Sequence, residues 1–146
     1  MEIATNKIEI EVIGSPVPQG SLVGNPRFGM RYTNDKALKS WRQDIIFELM
    51  QAKPKEWNNN APMTVRAEFR FTRPKSHYGK KGLRPSAPEH KSTRPDLDKI
   101  VRACGDSLQE SSVVRDDSQI VQWSVLKRWT EEQEPPGVLL IVTMCS

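Results

Sequence analysis

The sequence predicts a single α+β domain, a mixed or antiparallel sheet of about four or five strands packed by two helices. Three observations carry that prediction. Residues 7–13 and 63–72 alternate apolar and polar side chains, the period of a half-buried strand. Leu38, Trp41, Ile45 and Leu49 recur at helical spacing, as do Leu97, Ile100, Val101, Cys104 and Leu108. Residues 138–144 form a short apolar run that fits a buried closing strand. At 146 residues the chain suits one domain, 1–146, and shows no internal repeat.

Taken in order, Ile8, Ile10 and Val12 give the first strand its inward side. Residues 14–30 then bring Pro16, Pro18, Gly20, Gly24, Pro26 and Gly29, which predicts a loop continuing neither strand nor helix. Asn34 or Asp35 caps a helix running to about Ala52, with Pro54 and the Asn58-Asn59-Asn60 turn beyond it. In the second strand Met63, Val65, Ala67, Phe69 and Phe71 face one way and Thr64, Arg66, Glu68 and Arg70 the other. A long segment, 73–95, separates it from the second helix and is expected to lack structure of its own. Residues 118–129 form the next strand, with Asp117 expected on the face of Val121 and Trp123, and a polar turn leads to the last strand. Trp41, Trp123 and Trp129 are read as packing residues.

The unusual stretch is Arg94-Pro-Asp-Leu-Asp, followed by Val114-Arg-Asp-Asp-Ser-Gln-Ile. Opposite the second helix's apolar stripe, Asp98, Arg102 and Asp106 stack four residues apart, with Asp96 at or just outside the first turn. Hard divalent cations such as Mg2+ take oxygen ligands and use only a few carboxylates, keeping sites for water and phosphate. An Asp-x-Asp at a helix start and an Asp at a strand start can supply such ligands if the two elements converge. Arg102 is then placed to hold a phosphate oxygen. The same spacing also fits an ordinary solvated face of ion pairs, with Asp96 as a cap. Asp116-Asp117 tips the reading, because adjacent acids repel unless a cation lies near.

Charge points the same way. The net charge of +4 and pI near 9.2 favour an anionic partner. Between 73 and 95, Arg73, Lys75, Lys80, Lys81, Arg84, Lys91 and Arg94 face a single acid, Glu89. Delivered straight to the first carboxylate, they read as a phosphate clamp, against the plainer reading of a solvated linker. Arg27, Arg31 and Tyr32 offer further backbone contacts and a stacking surface. Cys104 and Cys145 form no disulfide or metal framework, and Cys104 falls on the buried stripe. His77 and His90 lack metal-ligand spacing. No signal-peptide core or membrane-length apolar run is seen, so a cytoplasmic protein is expected.

Arg94-Pro95-Asp96-Leu97-Asp98, Arg102, Asp106 and Asp116-Asp117-Ser118-Gln119-Ile120 together resemble the signature of RusA-type Holliday junction resolvases. Pro16-Val17-Pro18-Gln19-Gly20 and Pro26-Arg27-Phe28 are similar to a basic loop of that family, with Gln19 and Ser21 departing from its usual residues. Lys99 stands where Asn is common, and Arg102 occupies the position of the catalytic lysine, an exchange that is not neutral at a phosphate. The resemblance implies a magnesium-dependent endodeoxyribonuclease making paired symmetric nicks at four-way DNA junctions, in recombination and repair. Mn2+ is an expected substitute. Metal-binding acids would be Asp96, Asp98 and Asp117, supported by Asp116, with Arg102 catalytic. It also implies a homodimer, since two cuts on a near-symmetric junction need two sites. Phages and prophages are frequent carriers. Two other classes stay open: a junction-binding protein without cleavage, and a metal enzyme acting on a nucleotide or nucleotide-sugar. The missing Gly-rich motif and the basic segment count against the last.

Overall fold

The computed structural model describes residues 6–20, 22–25, 29–32 and 35–145, with side chains outside 21–35. Strands β1 (Lys7–Ile13), β4 (Met63–Phe71), β7 (Ile120–Trp129) and β8 (Gly137–Met144) make one sheet in the order β1-β8-β4-β7. β8 is antiparallel to both β1 and β4, while β7 runs parallel to β4. The sheet is therefore mixed, as the sequence predicts. β1, β4 and β7 all start at one end, the lower, and finish at the upper. Gly137 opens β8 where backbones crowd: a Cβ there would overlap the Val12 carbonyl oxygen.

Helices α1 (Asp35–Ala52) and α2 (Leu97–Glu110) cover one face. α1 begins at the upper end, where Trp41 lies against Gly14, and descends to Lys53. α2 descends as well. Its lead-in is held at the upper end by Lys127 of β7, whereas Val113, just past its last turn, accepts from the Trp57 indole at the lower end. Ile45, Leu49, Ile100, Cys104 and Leu108 from the helices meet Ile8, Val65, Phe69, Leu140 and Val142 from the sheet, all buried. Burying such side chains stabilises the fold by about 1.5–3 kcal/mol each before entropy is counted. Trp41 and Trp129 are buried, as expected of packing residues.

Three expectations need correction. The proline- and glycine-rich region is not all loop, because β2 (Leu22–Asn25) pairs antiparallel with β3 (Gly29–Tyr32). The ladder holds Gly24 and Gly29 within its four residue pairs, so glycine weakens a strand without excluding it. The segment 73–95 also has structure: a 3-10 turn at Lys75–His77 and a ribbon of β5 (Tyr78–Gly79) and β6 (Gly82–Leu83). Its tight turn uses Gly82 at φ 101°, a conformation L side chains rarely adopt. Third, Asp117 is not on the face of Val121 and Trp123. Asp117–Gln119 form a 3-10 turn, and the register jumps from Met63↔Ile120 to Thr64↔Gln122. Val121 is the extra residue of that bulge and is turned out, 64% exposed, while Trp123 packs against the core.

Candidate functional site

The two acidic clusters occupy opposite ends of α2. Asp96 takes the N-cap position but makes no side-chain cap hydrogen bond, and its carbonyl accepts from the amides of Lys99 and Ile100. Its carboxylate is exposed, with Lys99 Nζ at a loose 4.0 Å. Asp98, in the first turn, is exposed, and so is Arg102 one turn on. Asp106 is half-buried.

At the other end, past the last turn of α2, the chain is locked by amides. Asp116 caps the Asp117–Gln119 turn by accepting from Ser118 N at 3.1 Å and from the Ser118 hydroxyl. Those hydrogen bonds, the hydroxyl's first, hold its carboxyl below the usual range. Gln119 Oε1 accepts from the Arg115 and Asp116 amides, and its Nε2 donates to the Asn59 and Ala61 carbonyls at 2.7 and 2.9 Å. Asp117 itself is exposed.

Hence the expected convergence inside one chain does not occur. α2 rises about 20 Å over its 14 residues, and Asp96 and Asp98 lie at its upper end, Asp117 at the lower. Carboxylate oxygens suit a hard cation chemically. Among the described residues, however, no three Asp, Glu, His or Cys side chains are grouped to hold one. The physical reason is topological: α2 descends one face while the turn that follows it stays at the lower end to start β7.

The basic segment divides into two sets. Lys75, Lys80, Lys81 and Arg94 are exposed, with Lys80 and Lys81 forming the tip between β5 and β6. Arg84 is exposed too, but its Nε donates to the Tyr78 carbonyl at 3.0 Å across the ribbon. Arg73 and Lys91 turn inward. Arg73 donates to the Pro88 carbonyl at 2.7 Å and lies over Trp129. Lys91 is only 7% exposed, its ammonium 4.8 Å from the Trp129 ring centre and 5.1 Å from that of Phe71. His77 meets Trp129 edge-on at 5.0 Å. Trp129 thus anchors the whole segment to the sheet. Arg27 lies outside the described residues, and so do the side chains of Arg31 and Tyr32 on β3.

Sequence reasoning missed Lys127. Its Nζ donates to the Thr93 and Pro95 carbonyls at 2.7 and 2.9 Å. The signal was its position, in step with Trp123, Val125 and Trp129 on the helix-facing side of β7, where a lysine needs a polar partner. Near it, Arg128 pairs with Glu68 and Glu134 at 2.6 Å each. Cys104 is fully buried, which pushes its thiol up to about 12 and removes it as a nucleophile.

Exposed acids at the ends of α2 and an exposed basic ribbon in the same domain are residue types that a nucleic-acid-processing site uses. A family model described as endodeoxyribonuclease RusA matches residues 10–142, from within β1 to within β8 and so including both helices, β4 and β7. The chain belongs to the RusA endodeoxyribonuclease family, and it is a nuclease of the Holliday junction resolvase kind, acting on branched DNA. No curated protein matches it significantly. No helix among the described residues is long and apolar enough to cross a membrane.

Proposed function

We propose that this protein is a Mg2+-dependent resolvase that works as a homodimer, nicking opposed strands of a four-way junction during recombination and repair. The observation that carries this reading is the placement of the family's acids at the two ends of one helix. A two-fold axis across α2 sets the N-terminal end of one copy's helix beside the C-terminal end of the other's. Asp96 and Asp98 of one copy and Asp117 of the second then share a site, and the symmetry makes two such sites. That number matches two symmetric cuts. A single chain, with no three ligands grouped among the described residues, presents two half-sites instead.

Asp96, Asp98 and Asp117 would hold the ion, which when bound makes a water acidic and neutralises phosphoryl charge. Asp116 keeps the Asp117 turn in shape rather than reaching for the ion, since Ser118 occupies its carboxylate. Arg102, exposed one turn beyond Asp98, binds a non-bridging oxygen of the attacked phosphate. Lys75, Lys80, Lys81, Arg84 and Arg94 hold the backbones of the junction arms. Arg73 and Lys91 hold the protein.

Subunit mixing tests the shared site. Asp98→Asn and Asp117→Asn homodimers are each expected not to nick a four-way junction in Mg2+. Mixed and allowed to exchange, they form heterodimers with one intact site and one doubly altered site, and single-strand nicking returns. No recovery in a proven heterodimer refutes the shared site. Binding of junctions by the wild-type protein without cleavage in any divalent cation would instead support the non-cleaving reading.

A further inference from the structure

The three residues ahead of the acidic pair are gripped carbonyl by carbonyl. Lys91 Nζ donates to Thr93 O at 3.3 Å, to Thr93 Oγ1 at 2.6 Å and to Arg94 O. Lys127 Nζ takes Thr93 O and Pro95 O. Asp96 O is already inside the helix, accepting from Lys99 and Ile100. Four consecutive carbonyls, 93 to 96, therefore each have a donor, and the chain enters α2 with no slack. A lysine ammonium has three donors, so Lys91 has none left for a DNA phosphate. Its burial between Phe71 and Trp129 closes the other approach.

The arrangement is costly unless it does something. Lys91 and Lys127 bring two like charges to the same carbonyl, and burial with that neighbouring charge lowers the Lys91 pKa. Surface lysines elsewhere in 73–95 avoid this by staying in water. Asp96 and Asp98 themselves are exposed, and among the described residues the Asp96 carboxylate is met only by Lys99 at 4.0 Å. Their backbone positions are set instead by what grips the lead-in.

We propose that Lys91 and Lys127 are positioning residues that fix Asp96 and Asp98 for the cleavage reaction by binding the carbonyls of Thr93, Arg94 and Pro95. This rests on the assignment of those acids to the nuclease site above. Supporting groups around metal ligands typically change activity or metal affinity by about 10–100-fold. The lysines belong to that order of effect and not to DNA affinity.

The test compares Lys127→Met, Lys127→Arg and Lys91→Met with wild-type protein. Nicking of a four-way junction is measured at saturating protein across a Mg2+ titration, and junction binding in chelator across a salt series. Lys127→Met is expected to nick at least about tenfold more slowly and to need more Mg2+ for half-maximal rate, with junction affinity within twofold and its salt slope unchanged. Lys127→Arg, which keeps N–H donors toward both carbonyls, restores most of the rate. Lys91→Met behaves as Lys127→Met does, and if it fails to fold the Lys127 pair decides. Hydrogen exchange at the amides of 97–100 gives a readout without cleavage, faster in Lys127→Met and restored in Lys127→Arg. A lower salt slope by about one phosphate with full rate at saturation would make Lys127 a DNA contact and overturn the proposal. Unchanged exchange and rate would overturn it too. Should wild-type protein nick no junction, the nuclease reading fails separately, and the exchange result alone decides the role of the lysines.

Discussion

The two ends of α2 carry the same kind of exposed carboxylate but are built from opposite materials. At the upper end the chain ahead of the acids is held by ions, Lys91 and Lys127, and the same end of the sheet carries the loose cations of the β5–β6 ribbon. At the lower end the turn is held mostly by neutral amides and hydroxyls, Gln119, Asn59, Ser118 and Asn60, around the Asp116 carboxylate and Arg115. Charged surroundings respond to salt and pH, whereas hydrogen-bonded amides do not. One end thereby depends on ammonium groups to hold its acids' lead-in, and the other on amides, hydroxyls and the capping Asp116 carboxylate to hold its turn.

If both ends complete one reaction centre, their acids must matter equally. Asp98→Asn and Asp117→Asn should each cut the nicking rate on a four-way junction by about 100-fold or more, while junction binding in chelator persists or tightens. A large loss at one end alone would break the symmetry between them. The next effect separates the ends by salt. Lys80→Ala with Lys81→Ala is expected to weaken junction binding about tenfold at moderate salt and to reduce the log–log salt slope by about two. Gel-shift titrations across a salt series give both values.

At the neutral end, Gln119→Ala removes donors from the Asn59 and Ala61 carbonyls and an acceptor from two amides. A loss of about 1–3 kcal/mol of stability is expected, unchanged between low and high salt in urea titrations. The smallest effect tests pH. Arg128, with help from the Glu131 amide, draws the Glu134 carboxyl down from 4.5 to about 2. A carboxyl depressed in the folded state stabilises above its unfolded value and loses that contribution as pH falls through its folded value. Stability should therefore decline between about pH 4.5 and 2, and less steeply in Glu134→Gln. Because the pair is partly solvated, the difference at neutral pH stays near 1 kcal/mol or below.

These predictions also mark how far the residues alone could be read. Apolar period located both helices and all four strands of the main sheet, because burial leaves its spacing in the chain wherever one face meets the core. Residues 22–25 and 29–32 escaped because a four-residue ribbon between prolines and glycines has too few positions to show a period. The bulge at Val121 escaped for a related reason: one extra residue reverses sidedness locally, and only the partner strand reveals it. In the basic segment, composition could not separate Lys91 from Lys80. Both are lysines among glycines and prolines, and only the fold supplies Phe71 and Trp129 to bury one of them.

The chain by itself determined the fold class, the acidic and basic residue types of the site, and the family, since these depend on residue identity and short-range spacing. The tertiary structure alone decided where the acids stand relative to each other. The direction of a helix over a sheet is set by connections and packing distributed along the whole chain. Here those connections place Asp98 and Asp117 at opposite ends of α2.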